Sequence, residues 1–169
     1  NRETNLSMNL NLPDIIKACR AGNRAAHRQL YEASKRKMFV MCLRYARSRE
    51  DAEDILQEGY VKVFRDIHQY SGNGSFEGWM RKVIVNTALQ FLRKQRSRPF
   101  EVDFEEHAFR FEYQPDESDG DIGKKRTQEI LELMQDMPDG FRTVLNLYIL
   151  EGYSHAEISE ICGISVGTS

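Results

Sequence analysis

Between residues 51 and 65 the apolar positions recur every three or four residues. At about 100° per residue, Ala52, Ile55, Leu56, Gly59, Tyr60, Val63 and Phe64 share one side, while Asp51, Asp54, Glu58, Lys62 and Arg65 share the other. That spacing predicts an amphipathic helix with a defined core face, and the same period runs through most of the chain. Residues 13–22 read as a short helix opened by Pro13 and closed by Gly22. Residues 23–48 come next as one or two helices with Asn23 as the cap. The 51–65 helix falls within a third helical segment, 49–70. YSGNGS, residues 70–75, has loop composition. Residues 76–97 are helical again, with Pro99 just past their end. Three more helical segments cover 124–137, 138–153 and 154–169. There is no internal repeat.

Residues 101–123 break the pattern. They carry nine acids and Arg110 as the one base, with no period of two or 3.6. Their composition predicts an extended acidic linker. Its aromatics, Phe104, Phe109, Phe111 and Tyr113, are too many for a purely solvated tether, so part of it is expected to dock. The expected architecture is all-α: two small helical domains, 1–98 and 124–169, joined by a linker over 99–123.

Charge sharpens that division. Residues 1–100 hold 19 Lys/Arg and 10 Asp/Glu, a balance of +9; residues 101–169 hold 5 and 16, a balance of −11, giving the net −2 of the 169-residue chain. The basic half is expected to meet a polyanion. Cys19, Cys42 and Cys162 are odd in number and far apart, which supports buried thiols in a reducing cytoplasm rather than disulfides or a zinc site. The four histidines, 27, 68, 107 and 155, lack metal-ligand spacing. No glycine-rich phosphate loop or nucleophile motif is present. The expectation is therefore a protein without catalytic residues, metal or cofactor. No apolar run approaches the roughly 18 residues of a membrane span, so no membrane insertion is expected. Residues 1–14 have no signal-peptide pattern, and the absence of an initiator Met fits a trimmed start.

Three surfaces carry candidate chemistry. The first is the acidic edge of the 51–65 helix. Acids there suit the helix dipole and a solvated face, the reading that charge alone favours; a protein partner with a basic surface is the sharper alternative, and the acids would repel DNA phosphates. The second is the segment 79–98, with six Lys/Arg and no acid. Lys82, Asn86, Gln90 and Arg93 fall on one face, with Trp79 at its rim. Cations pair with phosphates, and Asn and Gln can bond base edges. The loop before it brings Tyr70 and Phe76 beside Ser71, Asn73 and Ser75. Aromatics around such a loop can stack on unpaired bases at ~1–3 kcal/mol each, which fits single-stranded DNA better than duplex. Phe76 and Trp79 are open to either reading, core anchor or stacking platform. The third is SHAEISEICGISVGTS. Ser154 and Glu157 form a capping-box pattern, Ile158, Ile161 and Cys162 a buried side, and Gly163 a left-handed stop. Ser165 then caps a second helix from Val166. This is the helix-turn-helix pattern, or else an ordinary helical hairpin. Most of its base-reading residues are expected beyond Ser169.

These parts, in this order, resemble bacterial sigma factors of the extracytoplasmic-function group, over about residues 14–98 and 127–169. The carrying stretches are DAEDILQEGYVKVF, FEGWMRKVIVNTALQFLRK and MPDGFRTVLNLYILEGYSHAEISEICGIS. The resemblance implies a transcription initiation factor that binds core RNA polymerase and both duplex and melted promoter DNA. It implies that Asp51, Glu53, Asp54, Gln57 and Glu58 dock on the β′ clamp helices. It assigns the −10 element to Tyr70, Ser71, Asn73, Ser75, Phe76, Trp79, Arg81, Lys82, Asn86, Gln90, Arg93, Lys94 and Arg96. It assigns the −35 element to Ser165, Thr168 and Ser169. The linker is implied to run through the polymerase cleft, and an anti-sigma protein is a further candidate partner. Gln90 stands where the family usually has Asp, Ser159 where it has a small apolar residue, and Ser169 where it has Val. Two other readings stand beside this one: a helix-turn-helix regulator binding duplex DNA without polymerase, and a helical adaptor binding only protein.

Overall fold

The computed structural model describes residues 11–95 and 121–169. Among the described residues every regular element is helical: α1 Leu12–Arg20, α2 Arg24–Tyr45, α3 Arg49–Asp66, α4 Phe76–Gln95, α5 Asp121–Gln135, α6 Asp139–Leu145 and α7 His155–Cys162. A 3₁₀ turn, Ile67–Gln69, extends α3, and a π turn, Asn146–Leu150, extends α6. Residues 124–126 lie within α5, and the linker segment 99–120, like Arg96, lies outside the described residues.

Local chemistry sets most of the boundaries. Asn11 accepts from the Asp14 amide at 3.2 Å, and Pro13 sits in the first turn of α1. Asn23 accepts from the amides of Ala25 and Ala26 at 2.9 and 3.1 Å, satisfying two otherwise orphaned donors. Residues 24–45 contain no Gly or Pro, and they form one helix rather than two. Ser48 caps α3 through the Asp51 amide at 3.0 Å. One boundary differs from expectation. Asp121, Ile122 and Gly123, counted with the linker on composition, open α5; acidity suits a helix's first turn as well as it suits a tether.

Helices α1 to α4 build the larger core. Ile55, Val63, Ile84 and Val85 are fully enclosed between α3 and α4, with Met38, Met41 and Cys42 supplied by α2. Gly59 permits the close crossing of α3 on α4: a Cβ there would lie 3.0 Å from Cγ1 of Ile84. Tyr60 is buried in the same layer with its hydroxyl bonded to Ser34 Oγ at 2.6 Å, and burial pushes its pKa up to about 12.

The C-terminal helices rest against the end of α2. Leu131, Leu147 and Ile158 join the same apolar cluster as the first four helices. The last carbonyls of a helix have no partner within it. Here Gln135 Nε2 donates to the Leu43 carbonyl and Asn146 Nδ2 to the Arg44 carbonyl, each at 2.9 Å. Two residues about 100 positions downstream thus cap α2 from outside. Asp139 pairs with Arg47, and also with Arg142 at 2.5 Å.

Candidate functional site

The edge of α3 is built as its periodicity predicts. Glu53, Asp54 and Gln57 are exposed, Asp51 and Glu58 half-buried. Most of the edge is already paired. Glu53 meets Arg49 at 2.9 Å, Glu58 meets Lys62 at 2.8 Å, and Asp51 accepts from Gln95 Nε2 at 3.0 Å. The hydrogen bond from Lys62 holds the Glu58 carboxyl below its ordinary pKa. These are surface pairs of about 0–1 kcal/mol each, so a cationic partner can replace them at little cost. Lys62 also donates to Gln90 Oε1 at 2.9 Å. One ammonium therefore joins the acidic edge of α3 to the polar stripe of α4.

On α4, Lys82, Asn86, Gln90, Arg93 and Lys94 are exposed. The preceding loop is held by its own groups. Asn73 donates its amide to Ser71 Oγ and Gly78 to Ser75 Oγ, both at 3.3 Å. Gly72 and Gly74 have φ of 85° and 80°, conformations other residues seldom adopt. Tyr70, Phe76 and Trp79 form one aromatic cluster. Tyr70 meets Phe76 edge-on at 5.1 Å between ring centroids, and Phe76 stacks on Trp79 at 5.6 Å. The two readings of these rings separate here. Phe76 is only 4 % exposed, so it is a core anchor beneath the others. Tyr70 and Trp79 are half-buried and present the accessible aromatic edge.

Two of the basic side chains meet the C-terminal helices. Arg81 Nη2 donates to Glu151 Oε1 at 2.8 Å, and Arg44 lies 3.9 Å from the same oxygen. Arg93 donates to the Ile161 carbonyl. Nearby, Lys82 adds to the forces that lower the Glu157 pKa, the larger ones being hydrogen bonds from the Ser154 backbone and side chain. Residues 127–169 contain seven acids, Glu129, Glu132, Asp136, Asp139, Glu151, Glu157 and Glu160, against the one base Arg142. Of these acids, Glu151 and Glu157 face the basic helix α4.

The cap and the stop of the last motif form as expected; of its apolar side Ile158 alone is buried, while Ile161 and Cys162 lie at the rim and are half-buried. Glu157 accepts from the Ser154 amide at 2.8 Å, Ser154 Oγ accepts from the Glu157 amide at 3.3 Å, and Gly163 has φ of 68°. Ser159 has a role that the family resemblance did not suggest: its hydroxyl donates to the Ile164 carbonyl at 2.5 Å and ties the turn. After it, residues 166–168 form a single turn, with the Thr168 and Ser169 amides both donating to the Ser165 carbonyl. Ser165 Oγ and Thr168 Oγ1 are 2.7 Å apart, and Ser169 Oγ is 3.1 Å from His155 Nδ1. Lys62, Arg44 and Glu151 were not singled out as binding residues from sequence. Their partners lie on other helices, beyond any local spacing signal.

Comparison with known proteins agrees with this arrangement. The chain matches the family models for Sigma-70 region 2 over residues 30–98 and Sigma-70, region 4 over residues 127–169. It is 27 % identical over 161 residues to the ECF RNA polymerase sigma-E factor of Haemophilus influenzae, covering 91 % of this chain and 85 % of that protein. It is 26 % identical over 165 residues to the ECF RNA polymerase sigma-E factor of Escherichia coli K12, covering 91 % and 84 %. With the RNA polymerase sigma-H factor of Pseudomonas aeruginosa it shares 24 % over 162 residues, covering 91 % and 83 %. Fold and matches together define a polymerase-associated transcription initiation factor. The chain belongs to the sigma-70 family, in its extracytoplasmic-function group. No helix among the described residues is long and apolar enough to cross a membrane.

Proposed function

We propose that the acidic edge of α3 docks this protein onto the clamp helices of the polymerase β′ subunit. Glu53, Asp54 and Gln57 make the first contacts, and Asp51 and Glu58 exchange their present partners for the clamp's basic side chains. The neighbouring stripe and loop, from Tyr70 through Lys94 and on to Arg96, open and hold the −10 element. Unstacking a base costs a few kcal/mol; stacking against Tyr70 and Trp79 and phosphate pairing with Lys82, Arg93 and Lys94 offset it. No ATP and no catalytic group are required. The C-terminal unit reads the −35 element as duplex, with Ser165, Thr168 and Ser169 at the start of its reading helix. Residues 1–98 and 124–169 act as separate units joined by 99–123, working in the cytoplasm, with an anti-sigma protein as the expected inhibitory partner.

One observation carries this reading. The acidic edge and the cationic stripe lie on consecutive helices of one bundle, with Lys62 bonded to Glu58 on one and Gln90 on the other. A body so built can hold a basic protein surface and an opened DNA strand side by side. It also sets a condition: Arg81 and Arg93 are bonded to the C-terminal unit, so DNA must displace that unit from α4 to reach them.

Run-off transcription with purified core enzyme tests the function as a whole. For the docking surface, Asp54→Lys with Glu58→Lys should weaken core binding by about 100-fold while the helical circular dichroism is unchanged. Unaltered affinity for core polymerase would remove α3 from the interface. Lys82→Ala with Arg93→Ala should instead lower transcription with core affinity intact.

A further inference from the structure

We infer that Arg20, on α1, is a positioning residue for the 70–75 loop, and that it sets how selectively the loop holds an unpaired base. The inference rests on the proposed role of that loop at the opened −10 element. Arg20 is the last residue of α1, some 50 positions from the loop in sequence. Its Nη2 donates to the Tyr70 carbonyl and its Nε to the Ile67 carbonyl at 3.4 Å. Those two carbonyls bracket the 3₁₀ turn Ile67–Gln69, whose closing bond runs from the Tyr70 amide to the Ile67 carbonyl at 3.4 Å. Carbonyls at the end of a helical turn need outside donors. A guanidinium supplies several in a rigid fork, with the added strength of its charge.

The result is a tyrosine held at three points. Arg20 holds its carbonyl. Its hydroxyl donates to the Gly74 carbonyl at 2.7 Å. Its ring rests edge-on against Phe76 and lies 5.9 Å from Trp79. Between Tyr70 and Phe76 the chain has two glycines at positive φ and small polar residues, a composition with high conformational entropy when unconstrained. Fixing Tyr70 before the base arrives removes part of that cost from the binding step.

Attachment of α1 to the bundle does not depend on this bond. Ile15, Ile16 and Cys19 are already buried, and His27 Nε2 lies 3.0 Å from the Cys19 carbonyl. The exposed Arg20 side chain acts instead on the loop. A lysine at this position could reach one carbonyl but not fork across two.

The test uses holoenzyme assembled from core polymerase and the full chain. It is offered a pool of promoter-length duplexes with a central unpaired bubble of randomised sequence, and the retained DNA is sequenced. Wild type should enrich particular bases in the bubble. Arg20→Ala should reduce that enrichment about three- to tenfold, and Arg20→Lys by an intermediate amount. Preferences in the flanking duplex, core affinity and thermal midpoint should be unchanged. Acrylamide quenching of Trp79, the sole tryptophan, should increase in free Arg20→Ala as the aromatic cluster loosens. Arg20 is overturned as a positioning residue if the alanine variant keeps the wild-type bubble profile. It is overturned too if every preference falls together with the thermal midpoint, the signature of a general staple. A wild-type holoenzyme with no base preference in the bubble sinks the underlying reading of the loop, and this inference with it.

Discussion

The four-helix N-terminal bundle and the three-helix C-terminal unit use apolar surface in opposite ways. The bundle closes on itself, and among the described residues just Leu12 and Val61 of its large hydrophobics are exposed. The smaller unit leaves Ile130, Leu133, Met137, Phe141, Tyr148, Ile149, Leu150 and Val166 exposed and buries few, chiefly Leu131, Met134, Leu147 and Ile158. A unit so short has too little interior for all its apolar residues. It completes its burial on the end of α2, and it does so with polar groups as well as apolar ones. Gln135 and Asn146 reach the carbonyls of Leu43 and Arg44. The bundle is a scaffold with functional faces; the C-terminal unit is an attachment that must find surfaces to rest on.

If that contrast holds, core truncations in the two regions should have different consequences. Ile84→Ala should destabilise the bundle by ~2–5 kcal/mol and lower the main thermal transition. Leu147→Ala should detach the C-terminal unit first, seen as a larger radius of gyration by X-ray scattering with the bundle's transition retained. A single shared loss of structure in both variants would make the molecule one cooperative body.

The next largest effect is electrostatic. Glu151→Ala leaves Arg44 and Arg81 facing each other without their carboxylate, and should weaken the attachment by ~1–3 kcal/mol. Scattering and a distance label on each unit would register the opening. The same variant should bind promoter DNA faster once loaded on core enzyme, because Arg81 is released. Smaller again, Asn146→Ala removes the donor to the Arg44 carbonyl and should loosen the contact by ~1 kcal/mol.

The smallest effect is a pH dependence of α7. Hydrogen bonds from the Ser154 backbone and hydroxyl hold the Glu157 carboxyl below its ordinary pKa. Its folded value lies below its unfolded value, so its contribution is present above the unfolded value and is lost as pH falls through the folded one. Amide exchange in residues 155–162 should increase on acidification through that range, and Glu157→Gln should flatten the dependence.

How much of the molecule is legible in its sequence depends on the range of each interaction. The core face of α3, the exposed stripe Lys82, Asn86, Gln90 and Arg93, and the caps at Asn23 and Ser154 are all readable from residues within a turn or two. Phe76 is ambiguous because burial and stacking select the same residue type; only its place beneath Tyr70 and Trp79 distinguishes them. The start of α5 is misplaced on composition because acidic residues serve a linker and a helix's first turn alike.

What the sequence by itself determined was a set of helices and the chemistry each one exposes, because helix periodicity and capping are local. The tertiary structure alone decided that Arg20 reaches Tyr70, that Gln135 and Asn146 complete α2, and that Glu151 lies between Arg44 and Arg81. Those contacts join residues from about 50 to more than 100 positions apart. Each is weak, and which partners meet depends on how whole helices pack, a sum over the molecule that no short stretch of sequence contains.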